Sequence, residues 1–224
     1  LLRMFQLYRN YSYYMIIDDD TYIIRRNLEI ALATFYWRGA QYLDPVLTAA
    51  HAAASTLEDY ESTKQQGFST DGAVDPQIVP IYAGVLSRWI QPVSAARGTI
   101  TPFIQGGAGI LLSAAAMRAA IPHLHECRLR CDYLPHGDVR LGCCYKHVVR
   151  IPAVFDTTFW HQHIYRAQGR DRRHNMSIFP VSFHRMKNRS MIMPLHRCAE
   201  DAVHRLDQAR KSAAFPVTWA DIIQ

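Results

Sequence analysis

The sequence predicts an α/β layered domain, and three observations carry that expectation. Apolar runs of strand length alternate with amphipathic or alanine-rich stretches of helix length. Glycine and proline punctuate the boundaries between them. Hydrophobic residues make up 49% of the 224 positions, enough to bury one sizeable core, so a single domain over 1–224 is expected.

The elements follow in order. Tyr13-Tyr14-Met15-Ile16-Ile17 predicts a buried strand over 11–17. A helix is expected over about 27–37, capped by Asn27, with Leu28, Ala31, Leu32 and Phe35 on its apolar face. An alanine-rich helix over 44–57 comes next. The polar stretch 62–76, with Gln65-Gln66-Gly67 and Asp71-Gly72, predicts an exposed loop. Residues 78–83 predict a strand that Pro80 would confine to a sheet edge. Thr101-Pro102-Phe103-Ile104 predicts a short strand running into Gly106-Gly107-Ala108-Gly109 at a strand-to-helix turn. A helix then covers Leu111 to Ala120, and Pro122 ends it. A helix from Asp138 to Val148, a strand from Ile178 to Phe183 and an amphipathic helix from Ala199 to Ala213 complete the series.

Composition excludes several classes. Charged residues at 20% and aromatics at 11% rule out a disordered chain. The net charge of +6 suits an anionic ligand such as a nucleotide diphosphate. It lacks the dense Lys/Arg clustering of a nucleic-acid binder, and no such motif occurs, so no nucleic-acid partner is expected. No apolar stretch is long enough to span a bilayer. Four of the five cysteines, Cys127, Cys131, Cys143 and Cys144, fall in one central stretch, consistent with one or two disulfides in an oxidising compartment. They do not form paired C-x-x-C sets, and the odd number leaves a thiol outside intrachain pairing.

The chemistry-bearing residues begin with Asp18-Asp19-Asp20 at the mouth of the first strand. Three adjacent carboxylates repel one another and are costly to desolvate without a counter-charge. Hard oxygen donors favour Mg or Mn; an acidic turn in full solvent is the alternative. The Gly106–Gly109 cluster permits close backbone approach and positive φ, but has neither phosphate-loop nor dinucleotide-fingerprint spacing. Asp138 stands at a helix start, where an acid also serves as a simple cap or dipole partner. His184 closes a predicted strand. His123-x-His125 and His161-x-His163 would each share a strand face as metal pairs without a third ligand. Arg170, Arg172 and Arg173 could meet a diphosphate or lie in a solvated loop. Trp89 and Trp160 could stack on a sugar or pack in the core.

In order along the chain, Tyr13 to Ile23 with its Asp triplet, Tyr82-Ala83-Gly84, Gly106-Gly107-Ala108-Gly109, Gly137-Asp138-Val139 and Phe183-His184 resemble the Fringe-like family of inverting glycosyltransferases. That family includes the Fringe N-acetylglucosaminyltransferases and the core 1 beta-1,3-galactosyltransferases, and the resemblance covers roughly residues 11 to 190. It implies a GT-A-type fold with a mixed sheet flanked by helices, a UDP-sugar donor, Mn2+ as the metal with Mg2+ as substitute, and a hydroxyl of a glycan or glycoprotein as acceptor, joined in β-1,3 linkage. Asp18 and Asp20 resemble the outer members of the Asp-x-Asp motif and His184 the histidine that completes the metal site. Asp19 would orient the donor sugar or the motif itself. Gly106, Gly107, Ala108 and Gly109 resemble the segment lining the sugar and acceptor cleft. Asp138 resembles the catalytic base, although Gly137 stands where the family carries an acid.

The family places a nucleotide-binding segment before the Asp-x-Asp strand, whereas 17 residues precede Asp18 here. An N-terminally truncated domain is therefore expected, lacking much of the uracil and ribose site and turning over poorly by itself. The resemblance also implies the Golgi or another secretory lumen, with a type II membrane anchor upstream of Leu1. Rival classes are an inactive transferase-like binding protein and a metal-dependent hydrolase.

Overall fold

Strand β6 (Ile110–Ser113) is buried at every position, and the main sheet is built around it. The computed structural model describes residues 2–29, 31–32, 75–90, 100–155, 159–160, 181–184, 186 and 189–209. The expected helix over 44–57, residues 33–37 of the preceding helix, nearly all of the 62–76 loop, His161, His163 and the arginines of 166–173 lie outside the described residues.

After α1 (Leu2–Leu7), β1 (Tyr13–Ile16) runs antiparallel to β6, with Met15 opposite Leu111 and Tyr14 opposite Leu112. β3 (Tyr82–Gly84) flanks β6 on its other side, also antiparallel. β7 (Ala153–Phe155) pairs with β3 in parallel, so the order β1-β6-β3-β7 is a mixed sheet. Side chains alternate across it as the twofold period of a strand requires. Met15, Leu111, Ala83 and Val154 join a cluster with Ile81, Val85 and Val181, covered by Leu28, Ala31 and Leu32 of a helical segment. On the opposite face, Tyr14, Leu112, Tyr82 and Ile110 pack with Met117 of α2 (Ala114–Ala120) and with Tyr145. Each large aliphatic side chain so buried contributes roughly 1.5–3 kcal/mol. Helices thus flank a mixed sheet, as the α/β alternation and the family resemblance together imply.

Two smaller ladders carry the remaining strands. β4 (Leu86–Ile90) pairs antiparallel with β5 (Ile100–Ile104). β2 (Tyr22–Ile23), β9 (Ser182–Phe183) and β8 (Phe159–Trp160) form a three-stranded sheet in the order β2-β9-β8. Against β5 lie α3 (Leu124–Cys131) and α4 (Gly137–Cys144), joined by the disulfides Cys127–Cys144 and Cys131–Cys143. These close loops with sequence separations of 17 and 12, for which chain-entropy estimates give about 3 kcal/mol per bridge. Cys198 is the free cysteine, and it is exposed. It lies on α5 (Arg189–Ala209), which buries Leu195, Ala199 and Ala202.

Several boundaries differ from expectation. Residues 110–113 are strand rather than the first turn of a helix; a fully buried apolar run has no periodicity to separate the two states. The helix starts at Ala114, capped by Ser113, whose Oγ accepts the Ala116 N–H at 3.1 Å. The Gly106–Ala108 segment is consequently a 3-10 turn between two strands, not a strand-to-helix turn. Residues 78–79 belong to a turn whose Ile78 and Val79 amides reach the Asp75 carbonyl, so the strand begins at Tyr82 and is internal to the sheet. Pro80 precedes it and meets no ladder demand. The early helix begins at residue 25, where Ile24 O accepts the Leu28 N–H at 3.0 Å; Asn27 is inside it and buried, not a cap. The terminal helix starts ten residues before Ala199 and contains Pro194, because packing of its apolar stripe outweighs that one lost donor.

Candidate active site

The Asp triplet leaves the end of β1 and His184 leaves the end of β9, and the β2–β9 ladder brings them together. Tyr22 pairs with Phe183, which sets Asp20 and His184 side by side just beyond the pairing. The Met186 N–H donates to Asp20 O at 2.8 Å and extends that contact. His184 Nε2 stands 3.1 Å from Asp20 Oδ1 and 3.5 Å from Asp18 Oδ2. Asp18 is the open member, with a side chain 55% exposed, against 14% for Asp20 and 20% for His184. Asp19 is exposed.

The Gly106–Gly109 turn forms the floor. Its residues are buried, and Gly107 is pressed against the His184 imidazole, where a Cβ would collide with three ring atoms. The Thr21 hydroxyl donates to Gly107 O at 3.0 Å, and the Ser182 hydroxyl donates to Ala108 O. The two segments that carry the carboxylates and the imidazole are thereby tied to the same turn. Neither hydroxyl stands out in the sequence; their only cue is adjacency to Asp20 and Phe183.

Asp138 comes from a third direction, in the first turn of α4, where the helix dipole favours a carboxylate. Its Oδ1 accepts the Val139 N–H at 2.8 Å and its Oδ2 accepts the Gly106 N–H at 3.1 Å. A side-chain carbon on Gly106 would lie 3.7 Å from Asp138 Oδ2 and 3.7 Å from Asp18 Oδ1, so one glycine separates the two carboxylates. Space beside Gly137 is open to 4 Å. Cys143 and Cys144 pin the far end of α4, and Gly142 abuts the backbone of β5 at Pro102 O.

The fit to a divalent cation follows from the donors. Asp18, Asp20 and His184 each offer one ligand atom, all within 4.8 Å of one another. An octahedral ion at about 2.1 Å from its donors needs cis ligands about 3 Å apart and trans ligands about 4 Å apart. Two carboxylate oxygens and an imidazole nitrogen suit Mn2+ better than softer ions. Among the described residues this is the one group of three metal-ligating side chains. His123 and His125 lie in a 3-10 turn and in α3 rather than on a strand face, and His123 is 3.8 Å from Glu126. Trp89 and Trp160 fall in β4 and β8, with side chains outside the described residues.

A mixed α/β sheet flanked by helices, with acids and an imidazole gathered over a glycine turn, is consistent with a Fringe-like glycosyltransferase fold. The Fringe-like family model matches residues 3–204, and the chain belongs to that family. No curated protein matches it. Membership implies transfer from a nucleotide-sugar to a glycan acceptor, in the lumen of the secretory pathway. No helix among the described residues is long and apolar enough to cross a membrane.

Proposed function

We propose that the chain is an inverting, Mn2+-dependent transferase that moves a sugar from a UDP-sugar to a hydroxyl of a glycan or glycoprotein, in β-1,3 linkage. The supporting observation is the convergence of Asp18, Asp20, His184 and Asp138 around the Gly106–Gly109 turn. Asp18, Asp20 and His184 would hold the ion, and Mg2+ would substitute. Bound there, it would act as a Lewis acid toward the diphosphate and offset charge on the departing UDP.

Asp138 is the base. Its carboxylate is held by one amide on each oxygen, which fixes its plane while leaving a lone pair on each for an incoming acceptor hydroxyl. Proton removal by Asp138 as that oxygen attacks, opposite the leaving diphosphate, gives a single displacement and inverts the anomeric carbon. No covalent nucleophile is needed. Asp19, exposed beside the ligand pair, would orient the donor sugar, and Gly106, Gly107, Ala108 and Gly109 keep the floor low enough for it. The two disulfides are in keeping with an oxidising Golgi-type lumen.

The test is transfer from a panel of UDP-sugars to glycan acceptors with Mn2+ present, read by mass spectrometry, with NMR of the new linkage. Inverted product that disappears with chelator is expected, and Asp138→Asn should lower kcat by 10²–10⁴. Free sugar released at the same rate without acceptor would instead identify a hydrolase. Glycan binding without turnover or Mn2+-dependent UDP binding would identify an inactive relative.

A further inference from the structure

Asp138 is held by the Gly106 amide, and the groups that hold Gly106 lie one layer deeper, in the Tyr82-Ala83-Gly84 segment of β3. Tyr82 is 1% exposed. Its hydroxyl accepts the Ile104 N–H at 2.9 Å, two residues before Gly106. Its ring stacks on Tyr145, with centroids 4.6 Å apart and planes inclined by 16°. At the other end of the turn, Gly84 (φ +146°) backs onto Gly109, whose carbonyl oxygen would lie 2.6 Å from a Cβ at position 84. β3 therefore touches the turn at Gly109 and, through Tyr82, the last residue of β5 two positions before Gly106, while the Gln105 N–H between them donates to Val85 O at 3.0 Å.

Filling the core explains the Tyr82 ring but not its hydroxyl. Phenylalanine would occupy the same space without a polar group to satisfy, and a buried hydroxyl is costly unless bonded. Burial chiefly raises the phenol pKa, outweighing the Ile104 amide that lowers it, and the nearby Asp138 charge adds to the rise, so the hydroxyl stays protonated. Tyr145 is the built-in contrast. It is equally buried in the same stack, yet its hydroxyl donates to Ala116 O at 3.2 Å, away from the turn.

We propose that Tyr82 is a positioning residue for Asp138: its hydroxyl anchors Ile104 so that the Gly106 amide stays aligned with the Asp138 carboxylate. The inference rests on the reading of Asp138 as the base, and it assigns a role to a buried hydroxyl whose bond is to Ile104, not to Asp138 itself. The hydroxyl acts through Ile104 and Gly106, so its removal should misalign the base without disturbing donor binding.

The experiment compares Tyr82→Phe, Tyr145→Phe and Asp138→Asn in the full chain. The Gly106 amide resonance in a 1H–15N spectrum should move in Tyr82→Phe and in Asp138→Asn and stay put in Tyr145→Phe. Hydrogen exchange over residues 104–109 should quicken about tenfold in Tyr82→Phe alone among the two tyrosine variants. In turnover, Tyr82→Phe should lower kcat about tenfold while donor KM and Mn2+ affinity hold. A wild-type Gly106 resonance and exchange in Tyr82→Phe overturns the proposal, as does an equal response in Tyr145→Phe. If Gly106 responds to Tyr82→Phe while Asp138→Asn leaves turnover unchanged, the coupling stands and the reading of Asp138 as the base fails.

Discussion

His184 occupies the space that a side chain on Gly107 would need. The imidazole is thus seated on bare backbone, and the same glycine's carbonyl receives the Thr21 hydroxyl from the acidic segment. The proposed metal ligands are set by what the turn lacks as much as by what the strands carry.

Gly107→Ala should consequently displace the His184 ring. Mn2+ affinity, measured by titration calorimetry, is expected to fall at least tenfold. The stability cost should stay within the roughly 1–3 kcal/mol typical of one overpacked methyl, read by thermal unfolding. Undiminished Mn2+ affinity in a folded variant would place the ion elsewhere.

Gly137 stands where the resemblance to the family implies an acid, and the room around it would admit one. Gly137→Glu should fold and gain a few tenths of a kcal/mol, because glutamate suits the first turn of a helix better than glycine. A drop in melting temperature would show that the space is not available to a longer side chain.

Stability should depend on pH through His147. Burial chiefly, then the Lys146 and Arg130 charges, lower its pKa from 6.5. The unfolded chain then binds the extra proton more readily than the native one. Stability from this group is present above pH 6.5 and is lost as pH falls toward the lower native pKa. His147→Gln should flatten that part of the melting-temperature profile between pH 7.5 and 5.5; an unchanged profile would assign the acid sensitivity to other groups.

Reduction should displace Asp138, the proposed base, before it unfolds the sheet. The disulfides brace α3 against α4, which carries Asp138, while the main sheet packs separately around β6. Replacing Cys131 and Cys143 by serine should cost about 2–5 kcal/mol and lower kcat with little change in Mn2+ affinity. Equal loss of both would indicate collapse of the whole domain.

Much of the site was legible in the sequence because charged or special residues punctuate apolar runs there. Asp18 and Asp20 sit between β1 and β2, His184 follows β9 and Asp138 lies in the first turn of α4, so residue type together with a place at an element boundary marked all four in the sequence. The element boundaries were harder wherever burial is complete. Ile110-Leu111-Leu112 is apolar on both sides, and only pairing with β1 and β3 decides that it is strand. The bonds made by the Tyr82, Thr21 and Ser182 hydroxyls escaped for another reason. These hydroxyls act on backbone 22, 86 and 74 residues away, and no local pattern encodes such reach.

Cys143 and Cys144 are neighbours in sequence yet bind different partners, Cys131 and Cys127. Four such thiols admit three pairings, and exchanging the two neighbours requires only a small local rearrangement. Exposed Cys198 adds a nucleophile that can start the exchange. Material refolded from denaturant should therefore emerge as a mixture of isomers, all of one mass and separable by chromatography. Secretion in the presence of a disulfide isomerase is the route to a uniform preparation.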